Sequence, residues 1–297
     1  MRLLLFGKSG QVGWELQRAL SPLGDLGALD RAGAGNLCGD LTTLKGLADT
    51  IRRLAPDVIV NAAAYTAVDK AESEPELART IHARAPDALA RTAKSLDAWL
   101  VHYSTDYVFD GGGTQAWRED DPTAPLSVYG LTKLEGEQAI RAVGGRHLIL
   151  RTSWVYGARG NNFAKTMLRL ARERDRLSVI DDQIGAPTGA DLLADVTTHL
   201  IRAARGRPEL GGLYHLVAAG ETSWHGYASF VLDFARKSGV QLKADVIAPI
   251  PTSAFPTAAR RPHNSRLDTS RLRETFDLTL PHWQAGVARM LTEILET

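Results

Sequence analysis

Leu3-Leu4-Leu5-Phe6-Gly7-Lys8-Ser9-Gly10-Gln11-Val12-Gly13 opens the chain and decides its fold class. The four apolar residues do not alternate with polar ones, the pattern of a strand covered on both faces, and glycines 7, 10 and 13 follow at once. Val12, Leu16, Ala19 and Leu20 then fall at helical spacing until Pro22 and Gly24 close the element, and a second apolar run, residues 26–29, ends at Asp30. Strand, glycine turn, helix and strand make a βαβ unit. Bare backbone before a helix N-terminus can meet a pyrophosphate, and Asp30, 17 residues past Gly13, stands where a carboxylate accepts from an adenosine ribose. Gly7, Gly10, Gly13 and Asp30 are therefore cofactor candidates. Arg31 can face a 2′-phosphate, so the pair admits both NADP and NAD.

The same alternation continues outward. Leu44, Leu47, Ala48, Ile51 and Leu54 trace a helix face before the β-branched run 58–60, and residues 76–96 keep helical spacing, with Pro86 predicting a kink or break. Residues 99–103 and 148–150 read as further strands. Strands alternating with helices predict an α/β fold, a Rossmann-type doubly wound parallel sheet over residues 1–152 that also takes in about 177–205. Residues 153–297 read mainly as a smaller, mixed substrate-binding region interleaved with the first, with helices near 162–174, 190–202, 224–237 and 282–295 and irregular chain over the proline-rich stretch 249–262.

Composition narrows the function. The 297 residues are 44% apolar and 23% charged with a net charge of +1, so no global field calls for nucleic acid or an anionic membrane. No signal-peptide core or membrane-length apolar run is present, and Cys38 is the only cysteine, which suits a reducing, cytoplasmic setting.

Doubly wound sheets bind ligands at the carboxyl ends of their strands, and three clusters fall there. Ser104-Thr105-Asp106 closes the 99–103 strand with hydroxyls and a carboxylate, or equally with a turn. Ala62, Ala63 and Ala64 leave room for a ring system beside the backbone. Tyr129 and Lys133, four apart on a helix, share a face about 6 Å apart along the axis, and a nearby cation draws a phenol toward neutrality. Tyr-x-x-x-Lys alone is common, and its position after a dinucleotide fingerprint gives it weight. Asp40 caps the next helix or touches adenine.

These residues together resemble the extended short-chain dehydrogenase/reductase family. Residues 7–13, 61–69, 103–109, 151–156 and 260–265 sharpen the resemblance to its dTDP-4-dehydrorhamnose reductase branch. That resemblance implies reduction of the 4-keto group of dTDP-4-dehydro-L-rhamnose by NADPH or NADH to dTDP-L-rhamnose. It implies that Tyr129 gives the proton, Lys133 tunes it and binds the nicotinamide ribose, and Thr105 hydrogen-bonds the reacting oxygen. It assigns Gly10, Gln11, Val12, Asp30, Asp40, Leu41, Ala63, Ala64 and Tyr65 to the cofactor, and Asp106, Trp154, Asn162, Arg260 and Arg261 to the substrate, with Phe163 and Lys165 nearby. A solvated Arg260–Arg261 pair is the plainer alternative to a diphosphate contact.

By the same correspondence Mg2+ would use Glu15, Asp191 and Glu293, against ordinary surface charge. His82 stands where the family has asparagine. Related reductases use that asparagine for a helix bend and a water near the lysine, so His82 reads as a hydrogen-bonded structural residue that leaves this proton path open to question. A dTDP-sugar is the expected partner, and a homodimer is compatible. A nucleotide-sugar dehydratase or epimerase is a second reading, disfavoured because Tyr107 rather than a second carboxylate follows Asp106. A noncatalytic NADP-binding regulatory subunit is a third, disfavoured by the intact Thr105, Tyr129 and Lys133.

Overall fold

The computed structural model describes residues 1–296. Strand β1 (Arg2–Phe6) leads through the glycine turn into α1 (Gln11–Leu20), and β2 (Asp25–Leu29), α2 (Leu44–Leu54) and β3 (Val58–Asn61) follow. The single turn α3 (Val68–Ala71) precedes α4 (Pro75–Arg79), which runs through a π-helical segment, Thr80–Arg84, into α5 (Ala85–Ser95). Next come β4 (Trp99–Thr105), α6 (Val128–Val143) and β5 (His147–Thr152). Beyond them lie β6 (Val155–Tyr156), α7 (Phe163–Glu173), β7 (Arg176–Ile180), β8 (Ile184–Gly185), β9 (Thr188–Gly189) and α8 (Ala190–Arg205). The chain continues with β10 (Gly212–His215), β11 (Thr222–Ser223), α9 (Trp224–Lys237), β12 (Val246–Ile250), α10 (Ser270–Phe276) and α11 (Trp283–Leu295).

Six strands form the central sheet in the order β10-β5-β4-β3-β1-β2, every pair parallel. The doubly wound sheet expected from the opening residues is the one that forms. The pleat sends Leu3 and Leu5 to the face covered by α1 and α8, with Leu16, Leu20, Leu193 and Leu200. It sends Leu4 and Phe6 to the face covered by α2, α5 and α6, with Ile51, Leu89 and Ile140. A third cluster, around Met167, Leu177, Tyr227, Val231 and Val287, gathers α7, α9, α11 and β7.

Strand order reverses between β1 and β3, and the crevice at that switch point is lined by bare backbone. Gly7 adopts φ +90°, and a Cβ there would lie 2.7 Å from Ala63 N. A Cβ on Gly13 would lie 1.9 Å from the Gly7 carbonyl oxygen. These glycines are required by close approach as well as by the turn.

Pro86 neither breaks nor ends its helix. Lacking an N–H, it cannot bond the carbonyl of His82, and the π-helical turn just before it absorbs the mismatch while that carbonyl packs against Gly136 of α6. The proline-rich stretch is not wholly irregular either: Pro249 and Ile250 belong to β12, which pairs parallel with β7 in a two-stranded ribbon that tolerates a residue without a donor. Among the described residues no helix is long and apolar enough to cross a membrane.

A buried ion pair fixes α6 to the sheet. Arg151 on β5 and Glu137 on α6 are 2% and 1% exposed, and the guanidinium donates twice, Nη2 to Oε2 at 2.7 Å and Nε to Oε1 at 2.9 Å. Ser104 of β4 donates to the same carboxylate at 2.5 Å, and the Phe109 ring lies 5.0 Å from the guanidinium carbon. On the far side Arg151 Nη1 reaches the Glu119 carbonyl at 3.4 Å, while Glu119 Oε1 accepts from His215 N of β10 at 2.9 Å. Arg151→Met removes one charge and strands the other away from water, so it should destabilise the fold by about 3–5 kcal/mol, measured by denaturant unfolding. A loss below about 1 kcal/mol would show that the pair carries little.

Candidate active site

Thr105 is the last residue of β4, and its side chain caps the short turn that follows by accepting from Tyr107 N at 3.2 Å. Ser127 caps α6 by accepting from Gly130 N at 3.2 Å, which aims the first turns of that helix at the same point. Tyr129 thereby comes to face Thr105, whose hydroxyl donates to Asp106 Oδ1 at 3.1 Å. The phenol ring stands between the edges of His82 and Tyr107, with centroids 5.2 and 5.6 Å away. The residues expected to carry chemistry are brought together.

Burial sets their protonation. It pushes the Tyr129 phenol up to about 12, with the Asp106 charge adding to the effect and the nearby Thr105 hydroxyl opposing it. Burial raises Asp106 to about 7 against the nearby Ser265 and Thr105 hydroxyls; Thr105 bonds its Oδ1, and its Oδ2 atom is buried without a hydrogen-bond partner. Lys133 falls to about 8, again through burial, with Glu137 pulling it back. Its ammonium donates to the Tyr103 carbonyl at 2.5 Å and lies 3.5 Å from His102 Nε2. The Lys133 cation is held by a strand carbonyl, and burial is the largest influence on the phenol.

Beneath Lys133, Asn61 Oδ1 accepts from Ala63 N at 3.3 Å, which turns its amide nitrogen toward His102 Nδ1 at 3.1 Å. His82 is a hydrogen-bonded structural residue. Its Nε2 accepts from Tyr65 N at 3.0 Å and its Nδ1 meets Thr132 Oγ1 at 3.0 Å, so the ring ties the loop after β3 to α6. Burial and the Lys133 charge push it down to about 2.

Around the glycine turn, Gly10 sits at the N-cap of α1 with no side chain capping the helix, which leaves its first N–H groups for an anion. Asp30 directly follows β2 and accepts from Ser9 Oγ at 2.8 Å and Ala32 N at 3.1 Å. Arg31 is exposed and 3.5 Å from Asp40. Asp40 does not cap α2: Thr43 holds the cap position without a side-chain bond, and Asp40 accepts from Thr42 N at 2.9 Å instead. Val12 packs on the core, and the Leu41 side chain lies within it. Ala63 borders the turn, Ala64 is exposed beside it in the chain, and the Tyr65 hydroxyl donates to Glu74 at 2.6 Å.

The substrate candidates separate. Arg261 donates to Asp69 at 2.7 Å, its Nη1 is buried without a partner, and it lines a cavity of about 660 Å3 with Tyr107, Phe163, Gln183 and Trp224. Arg260 faces solvent. Asn162 caps α7 and donates to Gly157 O at 2.7 Å and to Gln11 Oε1 at 3.2 Å, so it stands beside the cofactor turn. Lys165 is spent on the carbonyls of Ala158 and Gly160. Sequence reasoning missed Thr152 and Ser153, whose hydroxyls are buried without partners at the end of β5, beside Thr105 in the sheet register. Their position at a strand end was the available signal.

Glu15, Asp191 and Glu293 do share a cavity, of about 460 Å3. Glu15 meets Arg18 at 3.4 Å and Asp191 meets Arg289 at 3.2 Å, and among the described residues no three His, Cys, Asp or Glu side chains gather closely enough to hold a metal ion.

The sequence profile described as the RmlD substrate binding domain matches residues 1–296. Over 297 residues the chain is 60% identical to the dTDP-4-dehydrorhamnose reductase of Salmonella typhimurium, covering 100% of this chain and 99% of that one. The solved dTDP-4-dehydrorhamnose reductase of Bacillus anthracis, in complex with NADP, superposes with a TM-score of 0.87 at 35% identity over 98% and 99% of the two chains. That of Clostridium acetobutylicum gives 0.89 at 35% identity over the whole of both.

The buried carboxyl makes stability depend on pH in a definite sense. Asp106 ionises near 3.8 when unfolded and near 7 when folded, so its contribution is fully present below about pH 4 and is lost as pH rises through 7. Asp106→Asn should therefore gain stability over the parent above pH 7, by up to about 4 kcal/mol, and match it near pH 4 in thermal melts. A difference that stays constant across that range would show that Asp106 titrates as an ordinary carboxylate.

Proposed function

The chain belongs to the RmlD substrate binding domain family, and from that premise we propose that it reduces the 4-keto group of dTDP-4-dehydro-L-rhamnose with NADPH or NADH to give dTDP-L-rhamnose. The observation that carries this reading is the convergence of Tyr129, at the start of α6, on Thr105 and Asp106 at the end of β4, with Lys133 buried one turn further along α6. It is an oxidoreductase site, and the nicotinamide, when bound, supplies the hydride for the sugar carbonyl carbon.

The chain supplies the rest. A phenol pushed up to about 12 stays protonated at neutral pH, so Tyr129 is charged with the proton that the developing alkoxide takes. Thr105 orients that hydroxyl and offers a second polar contact to the reacting oxygen. Asp106, with one unpartnered oxygen, is placed to accept from a sugar hydroxyl. Lys133 lies below the phenol, where its amine can reach a ribose.

The open N-terminus of α1 receives the cofactor diphosphate, and Asp30 its adenosine ribose. The cavity of about 660 Å3 takes the nucleotide end of the sugar nucleotide, with Arg261 Nη1 donating to its diphosphate. This divides the chain into a dinucleotide-binding part, residues 1–152 with α8 and β10, and a substrate part drawn from the rest of residues 153–297; of the stretch 177–205 expected in the first part, only α8 packs on the central sheet, while β7 pairs with β12 in the second. We place the reaction in the cytoplasm.

Loss of reduced-nicotinamide absorbance in the presence of dTDP-4-dehydro-L-rhamnose tests the reading. Tyr129→Phe keeps the ring and removes the proton, so kcat should fall roughly 100-fold or more with cofactor affinity retained. Near-normal turnover would remove Tyr129 from the acid role.

A further inference from the structure

Trp154 lies two residues past the end of β5 and adopts φ +49°, a left-handed conformation that a bulky side chain holds only where its surroundings dictate it. Two neighbours do so. The Trp224 indole stacks on it with centroids 3.7 Å apart and planes at 15°. On β8 nothing but hydrogen fits at position 185, because a Cβ there would lie 2.8 Å from Trp154 Cε2 and 3.1 Å from Cζ2.

Trp224 is itself pinned. Its Nε1 donates to Gln183 Oε1 at 3.1 Å, and the buried Gln183 amide donates in turn to Thr252 Oγ1 at 3.1 Å. Phe163 leans on the other part of the indole with centroids 4.6 Å apart. Trp224 lines the cavity that Arg261 faces, while Trp154 adjoins Ser153 at the strand ends. The stacked pair therefore joins the wall of the nucleotide cavity to the catalytic end of the sheet.

We propose that Trp224, held by Gln183, is a positioning residue that fixes the Trp154 indole as the wall for the sugar ring, so that sugar selectivity depends on a side chain behind the one that touches it. The inference rests on the reading of Trp154 as a sugar contact. An aromatic platform already in place loses little rotamer freedom when the substrate arrives, which favours binding over turnover. Removing Trp224 frees Trp154 to leave its left-handed conformation, and the wall is lost although the residue facing the sugar is unchanged.

Trp224→Ala and Trp224→Phe, with Trp154→Ala beside them, test this by steady-state kinetics, cofactor titration and the circular-dichroism couplet of the stacked indoles. Trp224→Ala should abolish the couplet and raise KM for the sugar nucleotide about tenfold, more than it lowers kcat, with NADPH affinity retained. Trp224→Phe should abolish the couplet yet restore most of the KM, since a ring still supports Trp154. Should Trp224→Ala fail to fold, Gln183→Leu removes only the pin and should raise KM in the same direction. KM unchanged in the Trp224 and Gln183 variants while Trp154→Ala raises it overturns the positioning role alone. KM unchanged in Trp154→Ala overturns the sugar contact and the inference with it.

Discussion

A guanidinium and a carboxylate closed off from water, Arg151 and Glu137, are the constraint on which the geometry of this site depends. Ion pairs buried so fully gain little over apolar packing, because desolvation consumes most of their attraction. What they supply is register. Glu137 lies one helical turn beyond Lys133 and two beyond Tyr129, so the fork that fixes it against β5 also fixes how far α6 slides along the sheet. Ser104 bonds the same carboxylate from β4, and the neighbouring Thr105 then meets Tyr129 from the opposite side of the strand.

The same dry environment orders the protons. Burial alone drives a phenol up, a carboxyl up and an amine down, and it does so here to Tyr129, Asp106 and Lys133 within two turns of helix and one strand end. A proton donor that must stay protonated until hydride arrives is served by a high phenol value. His82 and His102, both driven down by burial and by Lys133, add no competing charge beneath it.

What was legible in the sequence is what local pattern controls. The unalternating run before Gly7, the glycines at contact distance and the spacing of Tyr129 and Lys133 each announce an arrangement made within a few residues. Other features depend on residues far away in the chain. Pro249 argues against a strand until β7 supplies a ribbon edge, and nothing local announces that Asn162 bonds Gln11, 151 residues earlier. Trp154 carries no sequence mark of its left-handed backbone, which Gly185 and Trp224 impose from other elements. Arg260 and Arg261 are adjacent in sequence, and only Asp69 distinguishes the one that turns inward.

The measurement that tests this account most directly follows hydrogen rather than absorbance. With NADPH carrying deuterium at the transferring position of nicotinamide C4, and dTDP-4-dehydro-L-rhamnose as acceptor, proton NMR of the product should show the label wholly at C4 of the rhamnosyl ring, one deuterium for each cofactor oxidised. Product that forms without label, or sugar that is converted with no net cofactor oxidation, would contradict a reductase and place this site among enzymes that return their hydride.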